Sequence, residues 1–165
     1  MKKNKKLYII GAVLIITAVG LAALYFLSDR QKFTSMRIDI NNVKFDTSAD
    51  TESIKSDNYC NRNNMKYSKG SLACHVGDTI TYATNTKEIE KVTAQNTRKL
   101  ISIGWQSNGS NLPLLKDSGY IMGELYTKGE FDCYQRYKPA DGGRLVLEVG
   151  CSGPAKAEWF PVKTN

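Results

Sequence analysis

The sequence predicts a mainly β fold: a single N-terminal transmembrane helix, then a small disulfide-braced antiparallel β-sandwich or barrel with room for one short helix. Three observations predict it. Residues 7–27 form an unbroken apolar run, four cysteines follow it, and the C-terminal half alternates apolar and polar residues between tight turns. Alternation at a period of two marks strands with one wet face.

The apolar run, LYIIGAVLIITAVGLAALYFL from Leu7 to Leu27, carries no charge. A helix of that length spans ~31 Å, the thickness of a bilayer's hydrocarbon core. Thr17 can bond back within its own helix, and Tyr8 and Tyr25 stand near the two ends, where amphipathic rings favour the interface. Lys2, Lys3, Lys5 and Lys6 precede the run. By the positive-inside rule, residues 1–6 are then a cytoplasmic tail and 7–27 the span. Residues 28–35 become a juxtamembrane stalk and 36–165 an extracytoplasmic domain, on the periplasmic side or at the cell surface. A cleaved signal peptide is the competing reading, with Ala18-Val19-Gly20 as its small-x-small site. Cutting there leaves apolar residues on the new end, so the run reads as an uncleaved signal-anchor.

The same lysines explain most of the net charge of +7. Without those four, 23 basic residues become 19 against 16 acidic, a remainder of +3. Nucleic acid is therefore not an expected partner, and membrane lipid along Leu7 to Leu27 is.

Cys60, Cys74, Cys133 and Cys151 all lie beyond the span, where an oxidising compartment turns an even count into disulfides. In FDCYQRYKPADGGRLVLEVGC, a bend at Asp141-Gly142-Gly143 places residues whose numbers sum to 284 opposite one another. Cys133 then faces Cys151, Tyr137 faces Leu147 and Arg136 faces Glu148. Phe131, Cys133 and Tyr137 share a face with Leu145, Leu147, Val149 and Cys151, while Asp132, Tyr134, Arg136 and Lys138 take the other. A slip of one residue buries those charges, so the register is well specified. Cys60 pairs with Cys74 by elimination.

Other elements follow from local pattern. Met36, Ile38 and Ile40 alternate with Arg37 and Asp39, which predicts a strand; DTSADTESIKSDN reads as a loop, or as a linker between that edge strand and the main body. HVGDTITYAT is a strand with Ile80 and Tyr82 on one side. Asn85 and Glu88 form a capping-box pattern before a short helix from Thr86 to about Gln95. RKLISIGW reads as a strand with Ile101, Ile103 and Trp105 on one side, followed by a Gly/Ser/Asn/Pro-rich loop that holds a glycosylation sequon at Asn108. YIMGELYT, EFDCYQRYK and RLVLEVGC are three further strands. AKAEWFPV closes the chain as an edge strand, given Pro161.

Catalytic and metal signatures are sparse. Zinc needs closely spaced Cys or His ligands, and neither CxxC nor HxxxH occurs around the single histidine, His75. The sequence contains no G-x-S-x-G, P-loop, dinucleotide fingerprint or HExxH. The expectation is a protein without catalytic, cofactor or metal residues. Tyr134, Arg136, Lys138 and Arg144 project together from the hairpin and form a candidate contact surface, since Tyr and Arg are favoured at binding hot spots.

These readings converge on a membrane-anchored, extracytoplasmic binding or assembly protein of the cell envelope, non-enzymatic, with a protein or envelope polymer as partner. Two resemblances supply alternatives. A long N-terminal apolar helix followed by a β-domain with a cysteine pair near the C-terminus resembles the architecture of type IV pilins, which implies a pilus-like subunit. The chain departs from that family at its processing motif, because Gly11 leads into AVLII, and after Leu27, where it shows strand alternation rather than a continuing helix. The Ser-Gly and Lys-Gly pairs of SGYIMGELYTKGEFDC are similar to segments of bacterial envelope lysozyme inhibitors, which implies a tethered inhibitor of a foreign enzyme.

Overall fold

The computed structural model describes residues 2–43, 51–62, 72–83, 88–109 and 119–156. A long helix, α1 (Lys2–Asn42), leads into strands β1 (Thr51–Asn61) and β2 (Leu72–Tyr82). Helix α2 (Ile89–Ser102) follows, then β3 (Gln106–Ser107), β4 (Met122–Lys128), β5 (Phe131–Ala140) and β6 (Arg144–Ala155). The six strands form one antiparallel sheet in the order β1-β2-β6-β5-β4-β3. Among the described residues the sheet is open, with β1 and β3 as its edges, rather than a barrel or a pair of packed sheets.

Helix α1 departs most from the sequence expectation. It neither stops at Leu27 nor yields to a strand at Met36. From Tyr8 to Asn42 it is long and apolar enough to cross a membrane, with a mean hydropathy of 2.5 in its most apolar window and no part of that window buried. Its last turns enter the core. Phe33, Met36, Ile40 and Val43 are buried beside Asp29 and Asp39, a spacing of three and four that gathers them on one helical face. Ile38, which the strand reading placed in the core, is 55% exposed. A helix already nucleated by the apolar run propagates at one hydrogen bond per residue, whereas a new strand needs a partner. The expected stalk at 28–35 is likewise helical, and its Asp29 and Phe33 are buried.

Polar pins fix α1 to the sheet. Arg37 donates to Asp78 and Asn58, and to the Gly77 carbonyl at 3.1 Å. Asp39 accepts from Lys128 and, at 3.2 Å, from the Trp105 indole. Asp29 accepts the Lys156 backbone N–H at 2.8 Å, while the Lys156 ammonium lies 3.7 Å from the centre of the Tyr25 ring.

Helix α2 is longer than expected and occupies RKLIS, which the sequence reading gave to a strand. Val92, Thr93, Asn96 and Leu100 are its buried stripe, and Ile101 is half exposed. The helix ends at Gly104, whose φ of 93° suits a residue without Cβ. Gly104 N–H bonds the Ile101 carbonyl and Trp105 N–H the Leu100 carbonyl, both at 3.0 Å. This is the two-bond helix stop of the Schellman motif, and it turns Trp105 into the core. Behind α2 a buried network links Asn96 to Tyr137 (3.1 Å), Tyr137 to Gln135 (2.9 Å), and Gln135 to Thr97 (2.8 Å) and Tyr126. Burial raises the Tyr126 and Tyr137 hydroxyl pKa values, so both stay protonated donors.

The β5–β6 hairpin has the predicted register: Cys133 faces Cys151, Arg136 faces Glu148 and Tyr137 faces Leu147. Gly142 and Gly143 both take positive φ in its bend. Both predicted disulfides form, Cys60–Cys74 and Cys133–Cys151, each between directly opposed residues. Cys74 faces Gly153 and Cys151 faces Val76, so the two bonds stand two residues apart on adjoining strands, both in the core. Together they staple β1, β2, β6 and β5 at one end of the sheet.

Of DTSADTESIKSDN, read as a loop or linker, residues 46–50 lie outside the described residues, and from Thr51 onward it contributes to β1, an edge strand whose first six residues are exposed. Such a strand lacks the apolar alternation that reveals a strand in sequence, because one edge and much of both faces meet water. The proposed cap at Asn85, most of AKAEWFPV and the greater part of the loop after Gly109 lie outside the described residues. Asn108 is described and exposed, its N–H bonded to the Leu125 carbonyl at 2.8 Å.

Candidate functional site

Both helices cover the same face of the sheet, and the candidate contact surface lies on the opposite one. Strand parity puts Tyr59 (β1), His75 (β2), Gly150 (β6), and Tyr134 and Arg136 (β5) on that outer face. Gly77 faces Gly150 across β2 and β6, so no Cβ rises at its centre. The His75 ring occupies the hollow: a Cβ built on Gly77 would come within 2.5 Å of its Nε2, and one on Gly150 within 2.7 Å of its Cε1. His75 Nδ1 lies 2.8 Å from Ser152 Oγ.

A row of flat groups extends from there. The Tyr59 ring centre is 5.1 Å from that of His75, and the Tyr134 ring is almost parallel to His75 at 6.0 Å. The Arg136 guanidinium packs 4.9 Å from the Tyr134 ring centre and 4.3 Å from that of Tyr120, with the Lys138 ammonium 5.2 Å from Tyr120. Cations over aromatic faces gain about 0.5–1 kcal/mol each at exposed sites.

Glu148 ties the row together. It accepts from the Tyr120 hydroxyl at 2.6 Å, from Arg136 Nε and Nη2 at 2.9 and 2.7 Å, and from Lys138 Nζ at 2.7 Å. Burial opposes its charge, but the bonds from Lys138, Tyr120 and Arg136 outweigh that and hold the carboxyl below its usual range. Burial and the bond to Glu148 push the Tyr120 hydroxyl up to about 12; burial, partly offset by Arg136, pushes Tyr134 to about 12. His75 and Tyr120 are buried and the Tyr120 hydroxyl is donated to Glu148, so solvent reaches the row mainly at the Arg136 and Lys138 side chains, each about a third exposed. That pattern suits polar contact with a partner surface.

Three of the four expected contact residues, Tyr134, Arg136 and Lys138, meet here. Arg144 does not join them. It sits at the bend, bonding the Asp141 carbonyl at 2.8 Å and Glu52 at 3.2 Å, and so ties the hairpin to the start of β1. Sequence reasoning missed Tyr59, His75 and Tyr120. Gly77 and Gly150 were the available signal for His75, since glycines in strand interiors mark close approach of another group.

A second feature lies on the helical face. Between α1 and the β4–β5 turn runs a groove of about 550 Å³, walled by Gln31, Lys32, Ser35, Gly129 and Glu130, with Met36 and Phe131 among its lining. Among the described residues no group of three or more His, Cys, Asp or Glu side chains is placed to hold a metal ion.

Fold and surface together define an open antiparallel sheet, stapled by two disulfides and backed by two helices, one of them long and apolar enough to cross a bilayer. Comparison with protein-family models, curated proteins and solved structures finds no match for the chain.

Proposed function

We propose that this chain is a membrane-anchored, extracytoplasmic binding or assembly protein of the cell envelope that works without catalysis. One observation carries the reading: the helix whose first part is apolar and exposed is the same unbroken helix whose last turns pack in the domain core. Leaving the exposed apolar side chains from Tyr8 to Leu27 in water is costly, at roughly 25 cal/mol per Å² of apolar surface, and a bilayer removes that cost. The four lysines before the span support a cytoplasmic N-terminus, and the disulfides support an oxidising outer side. With no flexible stalk, the domain is held in one attitude to the membrane, and the Tyr134–Arg136–Lys138 row meets its partner from there.

The continuous helix also favours a second reading, a pilus-like surface subunit, in which the apolar halves of many copies pack together. Chemical cross-linking of native envelopes separates the two. A ladder of self-oligomers supports the pilus-like subunit, and a discrete product with another component supports the binding protein. Alkaline extraction tests the anchor, since release of the chain from membranes overturns it. Arg136→Glu with Lys138→Glu is expected to abolish the discrete product; unchanged cross-linking removes the outer face from the proposal.

A further inference from the structure

We infer that the disulfide-stapled end of the domain is a surface that rests on the bilayer, with Lys156 at the lipid phosphates and Trp159 and Phe160 in the interface beside it. The inference rests on the anchoring reading, because it takes Leu27 as the edge of the hydrocarbon. Asp29 follows Leu27 by a rise of ~3 Å, and the headgroup layer is on the order of 5–8 Å thick on each side. Lys156 is held at that depth twice over. Its backbone N–H bonds Asp29 at 2.8 Å, and its ammonium lies 3.7 Å from the centre of the Tyr25 ring, within the span itself. Strand β6 descends towards the membrane as it ends. A Cβ on Gly153 would meet the Phe131 ring at 2.8 Å, and that ring packs 5.0 Å from Phe33. Phe33 lies one helical turn, ~6 Å, farther out than Asp29, so the chain drops by about a turn of α1 between Gly153 and Lys156.

Residues 157–165 lie outside the described residues, and their part in the inference comes from sequence. AEWFPVKTN sets Trp159, Phe160 and Val162 between Lys156 and Lys163. Trp159 is separated from Lys156 by at most ~11 Å of extended chain. Aromatic rings flanked by lysines favour the membrane–water interface, where the ring leaves water while the ammonium keeps its polar partners. Charge fits the same partner. Arg30, Lys32 and Lys156 are exposed at this end of the domain. Register brings exposed Arg62 there too, since Asn61 pairs with Ala73 and Leu72 with Ala155. The two acids beside them are engaged: Asp29 is buried and bonded to Lys156, and Glu130 pairs with Lys32 at 3.0 Å. Basic residues this close to a bilayer are drawn to anionic headgroups. The groove between α1 and the β4–β5 turn is the competing place for the aromatic pair. Its lining on α1 begins at Gln31, farther out than Asp29, so the chain has to reverse its descent to enter.

The test uses the full-length chain reconstituted into vesicles of phosphatidylcholine and phosphatidylglycerol whose acyl chains carry bromine, a contact quencher of indole emission. The chain has two tryptophans. Trp105 is 1% exposed and bonds Asp39, a rise of ~18 Å beyond Leu27, so lipid bromine does not reach it. Wild type is expected to lose emission in brominated vesicles, more with bromine near the headgroup than near the chain ends. Trp159→Phe is expected to show no such loss. The double variant Lys156→Glu, Phe160→Asp is expected to show less than wild type at unchanged circular dichroism. Equal wild-type emission in brominated and plain vesicles overturns the inference, whether Trp159 stands in water or against the protein. A loss that survives Trp159→Phe, that is strongest at the chain ends, or that is undiminished in the double variant overturns it as well. Alkaline extraction of the same vesicles keeps the two readings apart. A chain that resists extraction yet is not quenched refutes the lipid-facing surface and spares the anchor, while a chain that is extracted refutes the anchor and the inference with it.

Discussion

Arg37 is the pin whose removal is most informative. Its guanidinium bonds Asp78, whose side chain is 4% exposed, and also Asn58 and the Gly77 carbonyl. Arg37→Met preserves the aliphatic stem but leaves the Asp78 carboxylate buried without its cation. Breaking a buried pair from one side costs about 3–5 kcal/mol, because the remaining charge has lost both water and partner. At roughly 2–8 °C per kcal/mol across domains of this size range, the midpoint falls by on the order of 10 °C or more. The double variant Arg37→Met, Asp78→Leu behaves differently. It removes both charges together, and with them the Arg37 Nε, which is buried with no hydrogen-bond partner. An unmet buried donor costs about 1–3 kcal/mol, so the double variant is expected within about 1 kcal/mol of wild type. Thermal unfolding of the detergent-solubilised full chain, followed in the near-ultraviolet through buried Trp105, measures both. A single variant as stable as wild type, or a double variant as unstable as the single, refutes the view that a desolvated ion pair locks α1 to the sheet.

Three other outcomes follow from the same geometry. Replacing Cys133 and Cys151 by alanine opens a cross-link of sequence separation 18, and replacing Cys60 and Cys74 one of 14; each change is expected to cost about 3 kcal/mol in urea unfolding, since loop entropy varies slowly with length. Gly150→Ala forces a Cβ to 2.7 Å from His75 Cε1 and 3.0 Å from the Val76 carbonyl; a loss of about 1–3 kcal/mol is expected, only partly recovered by adding His75→Ala because the carbonyl cannot withdraw. Stability is expected to fall at both ends of the pH range. Glu148, its carboxyl depressed in the folded state, contributes fully above the ordinary carboxylate pKa of ~4.3 and loses that contribution as acid protonates it, so Glu148→Gln flattens the acid limb. Tyr120 and Tyr134, raised to about 12, hold their protons where an unfolded chain has lost them, so stability declines as pH climbs from ~10 towards their folded values. Phenolate absorbance that rises at pH 10 in the folded protein as steeply as in the denatured chain contradicts this.

Much of the sheet was legible in the sequence. The β5–β6 hairpin could be read to the residue because a Gly-Gly bend, an alternating pattern and two cysteines all demanded the same register. The wet face of that hairpin also revealed Tyr134, Arg136 and Lys138. Partners arriving from other strands, Tyr59 and His75, were not legible, since nothing local indicates that β2 pairs with β6 across some seventy intervening residues. Edge strand β1 was hidden by its own exposure. Helix α2 was read as ending before Arg98 because Ile101, Ile103 and Trp105 alternate, although Gly104, just before Trp105, is a helix-stop signal of equal standing.

The amino-acid sequence alone determined the apolar run, the pairing of the cysteines and the hairpin register, because each depends on residue types and on contacts close along the chain. Tertiary structure decided that Met36 and Ile40 lie on a helix rather than a strand. Both periods fit those residues, and only the packing of Phe33, Ile40 and Val43 against the sheet, with Arg37 delivered to Asp78 and Asp39 to Trp105, selects between them. Tertiary structure also decided that the sheet stays open with both helices on one face. Burial on that face is a property of the assembled layers, and no single strand encodes which side will be covered.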